Sequence, residues 1–321
     1  FDNTQENASK VVSEMRGVWG LDTTREAARV NNDGFGQYVC PTKQRRFNKL
    51  MEPSPFWDVF KKALLLVKKK AAAGHDFLTA GLYRSLPETT LRSLSEYMRI
   101  AIQKQDLSRE MMETILKWLP KDGSKPTYID NTTMASPNLR PIGLNTAASK
   151  ILEYVLFLIQ IKISPKNRVH PWMFAWHRGR YVYTAALMHE LIMEDSTLNE
   201  KTLHMTSMDA MHWFDTVHSE TMVLCERRLG FPVQLIAAKA AVMAGSMRVR
   251  TYYGRSRLYP PQQGLGQGRV GAPTSSNIND TAVATAMPEY DPYIIGEGRY
   301  TTNVSRIHYA DDRNGYSCTD E

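Results

Sequence analysis

The sequence predicts an α+β fold, because helical and strand-like segments alternate along the chain and no internal repeat is present. The helical segments have apolar residues at intervals of three and four, whereas the strand-like segments are short and either apolar or alternating. Residues 203–208 and 247–253 are strand-like, and residues 305–317 predict two strands around a tight turn. The helical segments are residues 89–103, 108–118, 147–163, 221–229 and 277–287.

The first part of the chain is basic and irregular in pattern. Residues 1–60 mix charged residues with turn-forming ones, such as the Pro-Ser-Pro run at residues 53–55, and predict an irregular extension. Residues 60–70 favour a helix with a heavy lysine load, which is either a solvated helix face or a contact with RNA. Residues 120–123 predict a turn, and residues 147–163 a long amphipathic helix.

The composition is that of a globular protein with a basic excess. The 321 residues suffice for two ordinary domains or one large multi-lobed domain. Hydrophobic residues make up 42% and charged residues 23%, which argues against wholesale disorder. A formal net charge of +7 favours a polyanionic partner without establishing one.

Several classes of protein are disfavoured. The cysteines are far apart in the sequence, so neither a disulfide framework nor a C-x-x-C metal site is expected, and a reducing compartment fits best. The longest apolar stretch, residues 151–163, is interrupted by polar residues and does not predict a membrane span. The chain begins at Phe1 without a signal-peptide pattern and ends at Glu321, and we expect a piece of a longer reading frame. The three cysteines are Cys40, Cys225 and Cys318.

The tetrapeptide from Tyr309 to Asp312 is the sharpest local feature. It places Asp311 and Asp312 side by side at the tip of the predicted strand–turn–strand segment. Adjacent carboxylates repel each other unless a cation lies nearby, and their oxygens are the ligands that Mg²⁺ prefers. An Asp-Asp pair is also common in solvated surface turns, and this alternative stays open for the tetrapeptide alone.

A second acidic segment lies upstream. Asp209 ends the strand-like run and is followed by a predicted turn and helix. If the two strands are neighbours in one antiparallel sheet, Asp209 and Asp311 come together from distant parts of the sequence, as in a two-metal phosphoryl-transfer site. The alternative for Asp209 is a helix N-cap, and Asp215 is expected to have that structural role.

Four separated segments resemble the ordered motifs of reverse transcriptases, above all those of non-LTR retrotransposons. The resemblance spans about residues 73–317, and four motifs in the right order are far more specific than any one of them. A weaker similarity begins at Gly74. The matching residues are, in the first motif, Pro120-Lys121 and Arg140-Pro141-Ile142-Gly143-Leu144 with Lys150 and Glu153; in the second, Asp209 with Phe214, Asp215 and Val217; in the third, Gln267-Gly268 with Ala272-Pro273 and Asn277; and in the fourth, Tyr309-Ala310-Asp311-Asp312.

The resemblance implies a polymerase right-hand fold with fingers and a palm. The palm would carry a small antiparallel sheet backed by helices, and the thumb would be absent from this stretch of sequence. Residues 1–72 would then be a basic N-terminal extension, residues 73–200 the fingers with part of the palm, and residues 201–321 the palm with the acidic motifs.

The resemblance also implies the site residues. Asp209, Asp311 and Asp312 would be catalytic and would bind two Mg²⁺ ions, for which Mn²⁺ could substitute. Positive side chains would meet the triphosphate, an aromatic ring would lie under the sugar, and a Gln-Gly pair would let the backbone approach the nucleotide. These nucleotide-binding residues are Arg140, Lys121, Lys150, Phe214, Gln267 and Gly268.

The implied activity is RNA-directed DNA polymerisation by a retroelement enzyme. Its partners would be an RNA template, a DNA primer and deoxynucleoside triphosphates, with no membrane; a nuclear location is implied by the resemblance alone. Trp213 and His212 beside the first acidic motif, and Gly271 in the Gln-Gly motif, depart from the family pattern. A viral-type RNA-dependent RNA polymerase and a degenerate polymerase-like RNA-binding domain are the alternatives.

Overall fold

The structure is a computed structural model that describes residues 40–120, 139–163, 172–176, 179–209, 214, 217–251, 254–258, 264–265, 269–286, 292–296, 301–310 and 312–318. The chain divides into two compact units. Unit 1 is Phe1–Ser164 with Phe214–Ala272, and unit 2 is Pro165–Trp213 with Pro273–Glu321. The units interleave along the sequence, and the expected division after residues 72 and 200 stays a prediction. The assignment of fingers and palm stays a prediction.

Helices and small sheets occur in both units, which confirms the α+β class. The described helices are α1 (Pro41–Leu50), α2 (Pro53–Leu66), α3 (Ala80–Ser85), α4 (Glu88–Lys104), α5 (Arg109–Met112), α6 (Ala147–Ile163), α7 (Val182–Leu198), α8 (Ser219–Arg228), α9 (Val233–Met243) and α10 (Ala272–Ala286). The described strands are β1 (Thr114–Pro120), β2 (Leu139–Asn145), β3 (His204–Asp209), β4 (Met247–Thr251), β5 (Gly254–Arg255), β6 (Tyr293–Ile295), β7 (Thr302–Val304), β8 (Arg306–Tyr309) and β9 (Asp312–Ser317).

The interpretation of residues 1–60 as an irregular extension is wrong for its last twenty residues. Pro41 and Pro53 stand in the first turns of α1 and α2, where a helix needs no N–H donor, so they begin helices instead of breaking them. The buried Lys43 of α1 donates a hydrogen bond to the carbonyl of Leu229 at 2.5 Å, just after α8 ends. This cation satisfies a carbonyl at the negative end of α8 and joins α1 to the core of unit 1.

Residues 108–118 form only one helical turn, α5, before the strand β1 begins. Ser108 caps α5 by accepting a hydrogen bond from the Met111 N–H at 3.3 Å. β1 then pairs antiparallel with β2 and parallel with β4, so pairing with distant strands overrides the helical pattern. The sheet of unit 1 has the order β2-β1-β4-β5.

The helical core of unit 1 is built around α6, which spans the predicted residues 147–163. α6 packs against α2 and α9, and these two helices also contact α4. The prediction of an amphipathic helix is wrong, because α6 is buried around most of its circumference, including Glu153 and Gln160. No helix among the described residues is long and apolar enough to cross a membrane.

Unit 2 contains a three-stranded antiparallel sheet of order β3-β9-β8 and the two-stranded sheet β6-β7. The predicted strands at residues 203–208 and 305–317 are therefore confirmed. Ile307 and Tyr316, on β8 and β9, pack in a core cluster with Ala185 and Ile192 of α7. His189 of α7 adds a 2.9 Å hydrogen bond to the Tyr316 hydroxyl.

Asp195 fastens the β6–β7 hairpin to the end of α7. Its carboxylate accepts hydrogen bonds from the Tyr293 hydroxyl at 2.8 Å, from Lys201 at 2.9 Å and from the Gly296 N–H at 3.3 Å. Burial by itself raises the pKa of Asp195, but these hydrogen bonds and the charge of Lys201 together hold the pKa below its ordinary value. Burial and the hydrogen bond to the Asp195 carboxylate raise the pKa of Tyr293 to about 12.

A buried ion pair joins three helices of unit 1. Lys239 of α9 contacts Glu226 of α8 and donates a hydrogen bond to Gln160 of α6 at 2.9 Å. The side chains of Lys239 and Glu226 are 7% and 1% exposed. Removing one member of such a pair leaves an uncompensated buried charge, whereas removing both does not.

We predict that Lys239→Met lowers the free energy of unfolding by about 3–5 kcal/mol, measured by urea denaturation. The double variant Lys239→Met/Glu226→Met should recover most of this loss, and Lys104→Met, at the exposed end of α4, serves as the control for removing a lysine. A double variant no more stable than Lys239→Met would contradict this account.

Acid should weaken unit 2 through Asp195. A carboxylate whose folded-state pKa is depressed stabilises the protein above its unfolded pKa, and this contribution is lost as the pH falls through the folded-state value. We predict that Asp195→Asn lowers the free energy of unfolding by about 2 kcal/mol at neutral pH. The difference in unfolding free energy between this variant and wild type should become smaller between about pH 5 and pH 3. Urea midpoints across this range, with the exposed Glu194→Gln as control, measure the effect; a constant difference would disprove it.

Candidate active site

Two carboxylates lie opposite each other at one end of the sheet in unit 2. Strand β3 pairs with β9 so that Asp209 is the register partner of Asp312, and both residues are exposed. Residues directly opposite in an antiparallel pair project from the same face, with Cβ atoms about 4.5–5.5 Å apart. The neighbouring strands expected for the two acidic segments are therefore present, and the directly opposed residue is Asp312.

The turn between β8 and β9 has a left-handed residue. Tyr309 pairs with Asp312, so two residues connect the strands; the first is Ala310, and Asp311 lies outside the described residues. Ala310 has φ +59°, which the primed turn types of two-residue hairpins require at this position. An alanine in this conformation costs of order 1–3 kcal/mol, and such strain occurs often at functional sites.

The core packing of unit 2 fixes the orientation of this hairpin. Tyr309 is partly buried against the cluster that contains Ile307 and Tyr316. Successive side chains along β8 and β9 point to alternate faces of the sheet. Tyr309, Ile307 and Tyr316 therefore lie on the same face as Asp312. The acidic pair therefore stands at the solvent end of the core-facing side of the sheet.

On the other face of the sheet, an arginine forms an ion pair with a buried carboxylate. Arg313, next to Asp312 on β9, forms an ion pair with Asp280 of α10 at 2.6 Å, and the Asp280 side chain is only 1% exposed. Because adjacent strand residues point to opposite faces, Arg313 points away from the face of Asp312. Helices therefore back the sheet, with α7 packed against one face and Asp280 of α10 paired with Arg313 on the other.

The acidic pair fits a hard divalent cation. Two opposed carboxylates of like charge destabilise a strand pair unless a cation lies between or beside them, and their oxygens are the ligands that Mg²⁺ prefers. Within the described ranges, no group of three or more histidine, cysteine or acidic residues could hold a metal ion. The described donors are therefore Asp209 and Asp312, to which Asp311 would be added.

The proposed triphosphate contacts belong to unit 1, and Lys121 is not among the described residues. The backbone of Arg140 pairs with Leu119 in the β1–β2 hairpin. Lys150 of α6 donates a hydrogen bond to the carbonyl of Ala72, and burial, partly offset by Glu153 and Asp76, lowers the pKa of Lys150. Nucleotide binding by these residues stays a prediction.

Phe214 is half-buried in unit 1, and the loop before the Gln-Gly motif is bonded to it. The Leu265 N–H donates to the carbonyl of Phe214 at 2.6 Å, and the Gly264 N–H donates to that of Val217 at 2.8 Å. The end of the motif that begins at Asp209 therefore lies beside the loop that leads into the Gln-Gly motif. Gln267, Gly268 and Asp215 lie outside the described residues.

A buried polar network holds the residues that follow Gln267-Gly268. The carboxylate of Glu153 accepts hydrogen bonds from the Val270 N–H at 2.7 Å and from the Asn145 side chain at 2.5 Å. The Arg269 guanidinium lies 3.9 Å from Glu153 and donates to the Thr114 hydroxyl at 3.0 Å. Burial raises the pKa of Glu153, although Arg269 and the hydrogen bonds oppose the rise.

Glu153 belongs to the first of the four motifs, but the motif resemblance did not imply a role for it. A single charge in the apolar pattern of residues 147–163 was the available signal, because a glutamate is almost never fully buried unless it is paired. Asn277, which the motif comparison also included, is buried within α10 and donates to the carbonyl of Ala175 at 2.8 Å.

No protein-family model matches this chain, and no curated protein matches it significantly. Among solved structures, the chain is similar to an apo telomerase from Candida tropicalis truncated from its C-terminal domain, at 12% sequence identity and a TM-score of 0.44. The match covers 76% of this chain and 50% of the telomerase chain, so this chain matches half the length of that protein.

We predict that Glu153→Ala lowers the free energy of unfolding by about 3–5 kcal/mol, because it leaves the buried Arg269 uncompensated. It should also speed amide hydrogen exchange at Val270, which loses its acceptor. Mass-resolved exchange of the peptide covering residues 264–272 measures this, with the exposed Glu220→Ala as control. Unchanged exchange there would show that Glu153 does not hold the loop.

Proposed function

We propose that this chain carries the active site of an RNA-directed DNA polymerase of retroelement type. The reaction joins the 3′ hydroxyl of a DNA primer to the α-phosphate of a deoxynucleoside triphosphate, and pyrophosphate leaves. The observation that carries the proposal is the register pairing of Asp209 with Asp312, because it joins two motifs that stand in the reverse-transcriptase order along the sequence.

The acidic residues would act through the cations that they bind. Asp209, Asp311 and Asp312 would hold two Mg²⁺ ions, which supply positive charge to the attacking and leaving oxygens of an in-line displacement. The carboxylates themselves fix where that charge lies, and the pairing of β3 with β9 holds Asp209 opposite Asp312.

The nucleotide would be held by residues of several motifs. Arg140, Lys121 and Lys150 would neutralise the triphosphate, and Phe214 would pack under the sugar and limit space for a 2′ hydroxyl. Gln267 and Gly268 would let the backbone approach the nucleotide. The Glu153 network supports this role, since it restrains Arg269 and Val270, the two residues that come next.

The acidic pair predicts loss of activity without loss of the fold. Asp209→Asn should lower primer extension on an RNA template at least about 100-fold, more than loss of a group that only orients a metal ligand. The fold should be retained, because both carboxylates are exposed. Asp312→Asn should lower extension to a similar degree.

Extension is measured with deoxynucleotides and, separately, with ribonucleotides, at saturating primer–template. Glu194→Gln, an exposed residue of α7, removes the same charge from unit 2 and should leave extension unchanged. Robust extension by Asp209→Asn would refute the site. Preferential use of ribonucleotides would refute the DNA-polymerase assignment and favour an RNA-dependent RNA polymerase.

A further inference from the structure

Three cations form a row across the sheet of unit 1. Arg250 of β4 is the register partner of Lys117 on the parallel strand β1 and of Arg255 on the antiparallel strand β5. Register partners project from the same face of a sheet, and all three residues are exposed. Lys117, Arg250 and Arg255 are called the basic row below.

Unlike a neighbouring arginine of β4, the cations of the basic row form no ion pair within the described residues. Arg248, two residues before Arg250 on β4, forms an ion pair with Glu113 at 3.2 Å. None of the three side chains in the row forms an ion pair with a carboxylate of the described residues. Like charges directly opposite each other destabilise neighbouring strands, so this arrangement favours a polyanion that neutralises them.

An exposed aromatic ring lies beneath one end of the row. The Arg255 guanidinium stands over the ring of Phe77, 5.2 Å from its centroid. Phe77 is 64% exposed and has φ +58°, a conformation that is unusual for a bulky residue. A large apolar side chain held in strain and in water contributes little to folding, and its position favours a binding role.

The loop that carries Phe77 is a compact Ω-loop of unit 1, closed where the Gly81 N–H donates to the carbonyl of Lys69 at 3.3 Å. A side chain at Gly74 would come within 2.5 Å of the Thr146 backbone, so only glycine permits this close docking. Lys150 also holds the loop by donating to Ala72. The aromatic ring is therefore presented by a fixed backbone.

The entry to the same loop is basic. Lys68, Lys69 and Lys70 are exposed and immediately precede the docked segment. The carboxylate of Asp76, next to Phe77, accepts a hydrogen bond from the Leu78 N–H at 3.1 Å. The loop therefore adds three positive charges and one negative charge to the three cations of the basic row.

We propose that the basic row and Phe77 form a binding surface for single-stranded RNA. The phosphates would lie along Lys117, Arg250 and Arg255, and an unstacked base would stack on the Phe77 ring. A duplex keeps its bases stacked on one another and offers none to the ring. This binding needs no metal, primer or nucleotide, so it stands apart from the reaction proposed for the acidic pair.

The test is fluorescence anisotropy with a labelled single-stranded RNA of mixed sequence, in a chelator and without nucleotides. Phe77→Ala should weaken binding about tenfold, the effect of losing one stacked base. The triple variant Lys117→Ala/Arg250→Ala/Arg255→Ala should weaken it further. It should also make the dependence of log K on log salt shallower by about 0.7 for each cation removed.

Matched controls are Tyr97→Ala, an exposed aromatic of α4, and Lys104→Ala, an exposed lysine at the end of the same helix; both should bind RNA as wild type does. Unfolding curves confirm that each variant is folded. An RNA with abasic sites should bind wild type and Phe77→Ala equally, which separates stacking from charge.

Two results would overturn the proposal. Equal RNA affinity of wild type and the triple variant would exclude the basic row, and duplex RNA bound more tightly than single-stranded RNA would exclude a single-strand surface. Asp209→Asn should bind RNA as wild type does, so loss of extension without loss of binding separates the two sites.

Discussion

The register of β3 against β9 is the constraint on which the candidate site depends. A slip of one residue would move every side chain of β3 to the opposite face and would separate Asp209 from Asp312. The core holds β9 in this register, because Tyr316 packs among residues of α7 and its hydroxyl is hydrogen-bonded to His189. Apolar burial thus holds two like charges together, at a cost that a bound cation would offset.

Local patterns made a good part of this arrangement predictable. The alternation of residues 305–317 and the run at residues 203–208 predicted the strands that form β8, β9 and β3, and residues 147–163 form α6 as expected. The pairing of the two acidic strands followed from the chemistry of their carboxylates. The sequence did not indicate that Asp312 is the residue directly opposite Asp209, because register depends on the packing of distant core residues.

Features built from distant contacts were not predictable in the same way. The parallel pairing of β1 with β4 turned an expected helix into a strand, whereas the helix starts at Pro41 and Pro53 had a local signal, since proline favours the first turn of a helix. The same pairing creates the row containing Lys117 and Arg250, whose positions in the sequence give no hint of proximity. Glu153 had a visible signal, a charge inside an apolar helix, but two of its partners, Arg269 and Val270, are more than a hundred residues away.

Direct measurement of cation binding tests the central claim, that the opposed carboxylates form a metal site. The chain is titrated with Mn²⁺, and the bound fraction is followed by electron paramagnetic resonance, with Mg²⁺ as competitor. We expect wild type and Glu194→Gln to bind Mn²⁺ that Mg²⁺ displaces. Asp209→Asn should bind Mn²⁺ with at least about tenfold lower affinity. Equal binding by Asp209→Asn and wild type would contradict the account, because the cation would then be held elsewhere.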